Sequence, residues 1–200
     1  CTAELATLSD QPLVIQLAPG DGAASSAPAK GEAPPPPSSR HRHPRDVRIR
    51  SARDYALTKL LAAQRANGGW PQRWTGTPVD PREYPVQPAR FPANYPREHP
   101  KANYNGFYTL NDNTHRDCVM TLLDAAKRLG RPEYRAAALK GGDFLLLAQL
   151  PDPQAAWAQQ YNGRLEPDWA RAFEPPCVVS NESSGAMRLL IDLYLETGDE

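Results

Sequence analysis

The chain has 200 residues with 23 basic and 23 acidic side chains, so its formal net charge is zero. This balance gives no electrostatic reason to expect nucleic acid or an anionic membrane surface as a partner. No stretch approaches the roughly 18 consecutive apolar residues of a membrane-spanning helix, and three cysteines are too few for a small disulfide-stapled domain.

The beginning of the chain differs in composition from the rest. Residues 1–45 are rich in alanine, glycine, serine and proline, including the run Pro34–Pro37, and they lack apolar periodicity. Such a segment buries too little apolar surface to offset the entropy lost on ordering. We therefore predict a disordered leader or linker over residues 1–45 and a folded domain over residues 46–200.

Apolar periodicity predicts an amphipathic helix soon after this boundary. Ser51 is expected to cap it, and the helix should end at the Asn67-Gly68-Gly69 turn. Its expected apolar face carries Tyr55, Leu57, Leu60 and Leu61.

Three further helices are predicted after residue 110. The second should begin at the Asn/Asp cluster 111–113 and end at Gly130, and Pro132 can open the third without losing a hydrogen bond. Because the connection between them is short, they should form an antiparallel pair. The fourth should run from near Ser180 to Gly198, with Met187, Leu190, Ile191, Tyr194 and Leu195 as its apolar residues. Strand signals are weak, so the sequence predicts an all-α fold.

An irregular connection of about 44 residues, 67–110, joins the first two helices. Loops of this length within a compact domain are usually functional or disordered. Aromatic residues throughout the connection argue against disorder, so we predict a binding surface. They are Trp70, Trp74, Tyr84, Phe91, Tyr95, Tyr104, Phe107 and Tyr108.

Three junctions between loops and helices contain candidate functional residues. In NGGWPQRW (67–74), Trp70 could stack on a sugar ring or fill the core at the end of a helix pair. In YTLNDN (108–113), the Asn and Asp side chains could cap a helix or offer oxygen ligands to a hard cation such as calcium. In residues 158–185, Arg171 could pair with Glu174 or hold a substrate carboxylate through its planar fork.

Taken in order, these junctions resemble the family-10 pectate lyases, also called pectic acid lyases. Each run is ordinary alone, but six in the same order with similar spacing are specific, and together they cover about residues 50–198. The matching runs are NGGWPQ (67–72), YTLNDN (108–113), RAAALKGGDFLLLAQL (135–150), AWAQQY (156–161), ARAFEPP (170–176) and NESSG (181–185).

The resemblance implies an incomplete (α/α) toroid, in which helical hairpins surround a centre and the active site lies on the face with the long loops. It implies calcium-dependent cleavage of polygalacturonate by β-elimination, which leaves an unsaturated sugar at the new end. The implied partner is an acidic polysaccharide, and we expect a monomer. Residues 46–200 would then be the N-terminal part of a longer domain.

The implied location is secreted, periplasmic or at the surface of a bacterium. Cys1 has two interpretations that the sequence leaves open. It could be the acceptor of a lipid anchor in a mature lipoprotein, or simply the point at which a fragment begins.

The resemblance also assigns site residues. Asp112 matches the acidic residue of the family's motif and is expected to bind calcium, with Asn113 beside it, whereas Asn111 is best explained as a helix cap. Trp70 is a candidate for sugar stacking or for shaping the cleft. Arg171, with Glu174, is a candidate for contact with a galacturonate carboxylate.

Two departures from the family pattern limit these assignments. The family often shows Ala-Gln-His-Asp where this chain has Ala158-Gln159-Gln160-Tyr161, and Tyr161 cannot replace a calcium-binding carboxylate. The family's catalytic base is an arginine in the C-terminal part of the domain, which we expect beyond residue 200. We therefore assign no catalytic base.

Two other functions stay open. A glycoside hydrolase on a related α-toroid would need paired carboxylates, and no spacing among Glu166, Asp168, Glu174 and Glu182 singles out a pair. A non-catalytic carbohydrate-binding relative is suggested by Tyr161.

Overall fold

A computed structural model describes residues 44–198 of the chain. The predicted leader, residues 1–45, lies almost entirely outside the described residues, and Cys1 lies outside them. The disorder of the leader and both interpretations of Cys1 therefore stay predictions. The described part contains no helix long and apolar enough to cross a membrane.

Residues 44–198 fold mainly into α-helices. These are α1 (Pro44–Ala63), α2 (Thr114–Leu129), α3 (Pro132–Ala148) and α4 (Ser180–Thr197). Two short strands, β1 (Tyr108–Thr109) and β2 (Gln160–Tyr161), pair antiparallel, with Tyr108 opposite Tyr161. Single turns of 3₁₀ helix occur at Pro81–Glu83 and Asn111–Asn113. The predicted all-α class is confirmed.

Helices α2 and α3 form the predicted antiparallel pair. Gly130 ends α2 with a left-handed φ of 66°, and its N–H donates to the carbonyl of Ala126. Pro132 then occupies the first turn of α3, where its missing N–H costs nothing. Val119 and Leu122 of α2 and Phe144 of α3 belong to one buried core cluster.

Helix α1 begins earlier than predicted. It starts at Pro44, so Ser51 lies inside the helix rather than at its cap. The residues that precede Ser51 are mostly polar, and a criterion based on apolar spacing cannot detect a polar first turn. The predicted apolar face is only partly correct, because Leu57 is buried whereas Tyr55 is exposed.

Helix α4 has the predicted bounds but a different buried face. Ala186, Leu189 and Leu193 are buried. The predicted apolar residues Met187, Ile191, Tyr194 and Leu195 are exposed, and Leu190 is half-buried. Ser180 is the first helical residue, and Val179 before it forms no side-chain cap.

Trp70 anchors the long connection, residues 67–110, to the helices. Its indole Nε1 donates to the carbonyl of Leu60 at 2.8 Å, and its ring lies 5.3 Å from that of His115. The His115 ring contacts Phe144 at 4.7 Å and donates from Nε2 to the carbonyl of Gly141. Residues of α1, α2 and α3 therefore meet around one tryptophan.

The glycines before Trp70 are required by close packing. Gly68 has a φ of +91°, and a Cβ there would lie 1.8 Å from the carbonyl oxygen of Lys140. A Cβ on Gly69 would lie 2.6 Å from the rings of Phe144 and Tyr108. The sharp Gly-Gly turn predicted at this point lets the chain lie directly against α3.

We expect Gly68→Ala to destabilise the fold much more than Gly130→Ala. Both residues have a positive φ, but nothing lies within 4 Å of a Cβ at Gly130. Gly130→Ala should cost about 1 kcal/mol through backbone strain alone, and Gly68→Ala should cost several times more because it collides with the backbone. Urea denaturation of both variants measures the difference, and equal losses would contradict the packing described.

Burial of His115 should make stability depend on pH. Desolvation lowers the pKa of His115 from 6.5 to about 4. The unfolded chain therefore binds this proton at a higher pH than the folded chain, so stability falls as the pH drops from about 6.5 towards 4, by roughly 3 kcal/mol for this group.

His115→Gln keeps an N–H donor but does not titrate. The free energy of unfolding of the wild type minus that of the variant should decrease as the pH is lowered from about 6.5 to 4. Above about pH 7 this difference should be constant. A difference that does not change with pH, measured by chemical denaturation, would contradict the buried neutral imidazole.

Candidate functional site

A polar cavity of about 130 Å³ opens where three loop segments converge near the start of α2. Its walls come from the long connection, from the turn before α2 and from the loop before α4. Its lining residues are Gln72, Tyr104, Thr109, Asn111, Asp112, Thr114, Gln160, Ala170, Arg171 and Glu174. We call it the Arg171 cavity.

The turn between β1 and α2 has an unusual backbone. Asp112 and Asn113 both have left-handed conformations, with φ of 55° and 59°. Asn and Asp adopt this region more easily than other non-glycine residues, although each costs some strain. The run NDN therefore supplies the residue types that a reversal of the chain at this point requires.

The helix-cap explanation for Asn111 is wrong. Asn113 precedes α2 and forms no side-chain cap, and the Thr114 hydroxyl donates to the carbonyl of Asn111 instead. The Asn111 side chain reaches across the cavity and donates from Nδ2 to Oε1 of Glu174 at 3.0 Å. It therefore positions a carboxylate that lies 63 residues further along the chain.

Glu174 is a buried carboxylate that holds Arg171. The guanidinium donates from Nε to Oε2 at 2.7 Å and from Nη2 to Oε1, and the Arg171 backbone N–H also donates to Oε2. Gln159 donates to Oε1 at 3.2 Å. The hydrogen bonds from Arg171, the side-chain ones above all, and the bond from Asn111 lower the pKa of Glu174 against the opposing effect of burial.

The pair formed by Arg171 and Glu174 is asymmetric. The Glu174 side chain is 6% exposed, whereas the Arg171 side chain is 47% exposed. The Glu174 hydrogen bonds raise the pKa of Arg171, and the negative charge of Asp112 adds to this effect. Both interpretations of Arg171 from the sequence are therefore compatible, because one edge of the guanidinium pairs with Glu174 and the residue still lines the cavity.

Asp112 and Asn113 do not line the same cavity. Asp112 is exposed in the Arg171 cavity. Asn113 lines a different cavity with Arg116 and Arg188, and its Oδ1 lies 3.2 Å from the position of a Cβ on Gly185. No group of three or more His, Cys, Asp or Glu side chains within residues 44–198 is placed to hold a metal ion.

Trp70 cannot stack on a sugar ring. It is 6% exposed, and both its ring and its N–H are used in the core. The alternative that it fills the core beside the helices is the one observed. The exposed tryptophan of the same motif is Trp74, which is 36% exposed.

Tyr161 faces the core rather than the cavity. Its hydroxyl donates to the carbonyl of Ala148 at 2.7 Å and accepts from the N–H of Ala158 at 2.6 Å, and burial raises its pKa. The neighbouring Gln160 lines the cavity and donates to the carbonyls of Asp168 and Glu174. Residues 158–161 thus add an amide to the cavity wall and no carboxylate.

The sequence analysis assigned no individual site role to several residues of the cavity. Gln72, Tyr104 and Gln160 come from segments far apart in the chain and share no local pattern. A signal existed for Tyr104, as one of the aromatic residues of the connection predicted to bind, and for Asn111, since three consecutive Asn or Asp residues exceed what one helix cap needs.

Comparison with known proteins identifies the family. A model of the pectic acid lyase family matches residues 38–198 of the chain. The structure is similar to that of a family 10 polysaccharide lyase from Cellvibrio cellulosa, with a TM-score of 0.56 and 22% sequence identity. The similarity covers 74% of this chain but 43% of that protein, so this chain spans less than half of its length. No curated protein sequence matches significantly.

The all-α class was confirmed by the helices themselves. The similarity to the family 10 lyase structure also supports the prediction that these helices form part of a toroid. The family model covers most of the folded residues, including all six runs on which the resemblance rests. The chain belongs to the pectic acid lyase family.

Proposed function

We propose that this chain contributes to a calcium-dependent lyase that cleaves polygalacturonate by β-elimination and releases 4,5-unsaturated oligogalacturonides. The observation that carries the proposal is the half-exposed Arg171, fixed by a buried Glu174 in the wall of a polar cavity that also contains Asp112. Residues 46–200 are proposed to form the N-terminal part of the catalytic domain.

Arg171 is proposed to bind a carboxylate of the substrate. A guanidinium presents its donors in a fixed plane that matches a carboxylate, and Glu174 occupies one edge of it. Because Glu174 is held by Asn111, Gln159 and Arg171, it is not itself available to substrate, and its proposed role changes from substrate contact to the positioning of Arg171.

The oxygen donors of the cavity fit a calcium site that substrate completes. Asp112 offers an exposed carboxylate, and Thr109, Thr114 and Gln160 offer neutral oxygens in the same walls. Calcium takes six to eight oxygen ligands, so the carboxylates of polygalacturonate would supply several of them. Asn113 lines a different cavity, so we assign its side chain no part in binding calcium. It only precedes α2 as the backbone neighbour of Asp112.

β-Elimination removes the proton at C5 of a galacturonate and breaks the bond between C4 and the glycosidic oxygen. Charge builds on the adjacent carboxylate as the proton leaves, so cationic groups that contact this carboxylate lower the barrier. Calcium supplies such charge when bound, and Arg171 supplies it from the protein. We assign the base to none of the described residues, since arginine is normally protonated and Arg171 is paired with Glu174.

The hydrolase alternative is weaker than the lyase proposal. A glycoside hydrolase needs two carboxylates on either side of the scissile bond. The carboxylates that line the Arg171 cavity are Asp112 and Glu174, and Glu174 is paired with arginine and has a lowered pKa. Neither has the apolar surroundings that would make it a general acid.

A lyase assay in the full-length protein tests the proposal. Polygalacturonate with calcium at alkaline pH should give a product that absorbs in the ultraviolet, and a chelator should abolish it. Asp112→Asn should lower the rate at limiting calcium by about tenfold or more. The matched control Asp117→Asn changes an exposed aspartate in the first turn of α2 that does not line the cavity and should keep the wild-type rate.

Calcium titration by calorimetry, with oligogalacturonate present, gives a second measurement that does not depend on turnover. Asp112→Asn should weaken calcium binding while Asp117→Asn does not. New reducing ends without ultraviolet absorbance would indicate hydrolysis. Retention on pectate without turnover would indicate a binding protein, and either result would reject the lyase.

Glu174→Gln should reduce both substrate affinity and stability. The amide cannot accept the bidentate bond from Arg171, so KM for polygalacturonate should rise, and the loss of this partly buried pair should cost about 1–3 kcal/mol. Because the pKa of Glu174 is lowered on folding, its stabilising contribution is present above its ordinary value of 4.5 and is lost as pH falls below it.

The stability difference between wild type and Glu174→Gln should therefore shrink in acid. Glu133→Gln is the control, because Glu133 forms an exposed pair with Arg131 and should contribute little. A difference for Glu174 that persists unchanged at pH 3, in denaturant titrations, would contradict the ion pair.

A further inference from the structure

A second cleft is lined by different residues from those of the Arg171 cavity. It has a volume of about 330 Å³ and is bordered by the end of α1, the turn after it and the residues before the 3₁₀ turn at 81–83. The charged residues that line it are both arginines, Arg65 and Arg73, and its aromatic residues are Trp74 and Tyr84. We call it the Trp74 cleft.

Trp74 presents its indole to this cleft. The residue is 36% exposed, and the ammonium of Lys59 lies 5.5 Å from the ring centroid. Gly76 follows with a φ of +82°, and even a Cβ there would lie 4.0 Å from the indole. The chain therefore turns back beside the ring, and about a third of the Trp74 side chain stays exposed. An exposed flat ring in a cleft is the surface on which the C–H face of a sugar packs.

Arg65 is held rigidly in the wall of the cleft. Its guanidinium carbon lies 3.3 Å from the ring centroid of Tyr84 and 5.2 Å from that of Tyr108. Its Nη1 is buried and has no hydrogen-bond partner among residues 44–198. Because this nitrogen has no exposed surface, Arg65 contributes positive charge to the wall rather than a direct contact with a ligand.

Arg73 adds a second cation in a fixed segment. Its backbone N–H donates to the carbonyl of Asn105 at 2.9 Å, and that of Gln72 donates to Phe107 at 2.7 Å. The nearby acidic residue Asp80 does not line the cleft, and Arg82 binds it through two nitrogens. The cleft therefore favours an anion.

The two binding regions are consecutive along the chain. Gln72 lines the Arg171 cavity, and the next residue, Arg73, lines the Trp74 cleft. Whether one polymer reaches both the Arg171 cavity and the Trp74 cleft is decided by comparing the binding of a long oligomer with that of a trisaccharide.

We propose that the Trp74 cleft is a binding subsite for a hexuronate unit of an anionic polysaccharide. The sugar ring packs on the indole of Trp74, and its carboxylate is bound by Arg73 with Arg65 behind it. The identity of the polymer as polygalacturonate rests on the proposed function, but the requirement for a ring and a negative charge follows from the cleft alone.

Binding of galacturonate oligomers to the full-length protein, measured by calorimetry with a chelator present to prevent turnover, tests this subsite. Trp74→Ala and Arg73→Gln should each weaken binding of a long oligomer by about tenfold, as expected when an interface aromatic or arginine is removed. They should change binding of a trisaccharide less, because a short ligand can occupy the Arg171 cavity alone. Arg65 is left unchanged because its contacts with Tyr84 and Tyr108 make misfolding a risk.

Matched controls separate the subsite from general effects of truncation and charge. Phe91→Ala removes a side chain of similar exposure (39%) that does not line the cleft, and Arg135→Gln removes an exposed arginine of α3 that lines another cavity. Both should bind within twofold of wild type. A long oligomer with its carboxylates reduced to alcohols should bind weakly to wild type and should be insensitive to Arg73→Gln.

The outcomes distinguish this inference from the proposed function. Wild-type affinity in Trp74→Ala and Arg73→Gln, or no binding of any oligomer to wild type, would overturn the subsite. Formation of the unsaturated product by the full-length protein would in that case still support the lyase. Loss of oligomer binding in these variants, without any lyase product from the full-length protein, would support the subsite and reject the lyase.

Discussion

The indole of Trp70 is the interaction on which the rest of the described fold depends. It donates to the end of α1, contacts His115 of α2, and lies 3.0 Å from the position of a Cβ on Gly141 of α3. The long connection starts at this point, and it supplies walls to both the Arg171 cavity and the Trp74 cleft. A loop of this length contains little regular structure of its own, so its position depends on such anchors to the helices.

The second constraint is the buried carboxylate of Glu174. A charge taken out of water is stable only if hydrogen bonds replace its hydration, and here Arg171, Asn111 and Gln159 provide them. These donors come from three different segments, so the same carboxylate both fixes the guanidinium and joins the loops that form the cavity. A side chain that the sequence offered as a substrate contact is therefore occupied in holding the guanidinium of Arg171.

The division of the motif NGGWPQRW between core and surface has a simple physical basis. The two glycines allow the backbone to approach α3, which places Trp70 inside and Gln72 at the Arg171 cavity. The next residues, Arg73 and Trp74, lie in the neighbouring cleft. One short motif thus contributes to the core and to both regions where an acidic polymer is proposed to bind.

The sequence alone determined helices α2, α3 and α4, the end of α2 at Gly130 and of α4 at Gly198, and the antiparallel pairing of α2 with α3, because these depend on local spacing. It also determined the family, because the resemblance depends on the order of short motifs along the chain. It located the loops that line the Arg171 cavity and the Trp74 cleft but could not assign positions to their side chains. Trp70 and Trp74 differ by four positions and are chemically identical, and only packing against Leu60 and His115 decides which one is buried. Asn111 and Glu174 are 63 residues apart, so no local pattern could show that an apparent helix cap binds a carboxylate. Burial and long-range pairing are properties of the tertiary structure, and they decide the role of each site residue.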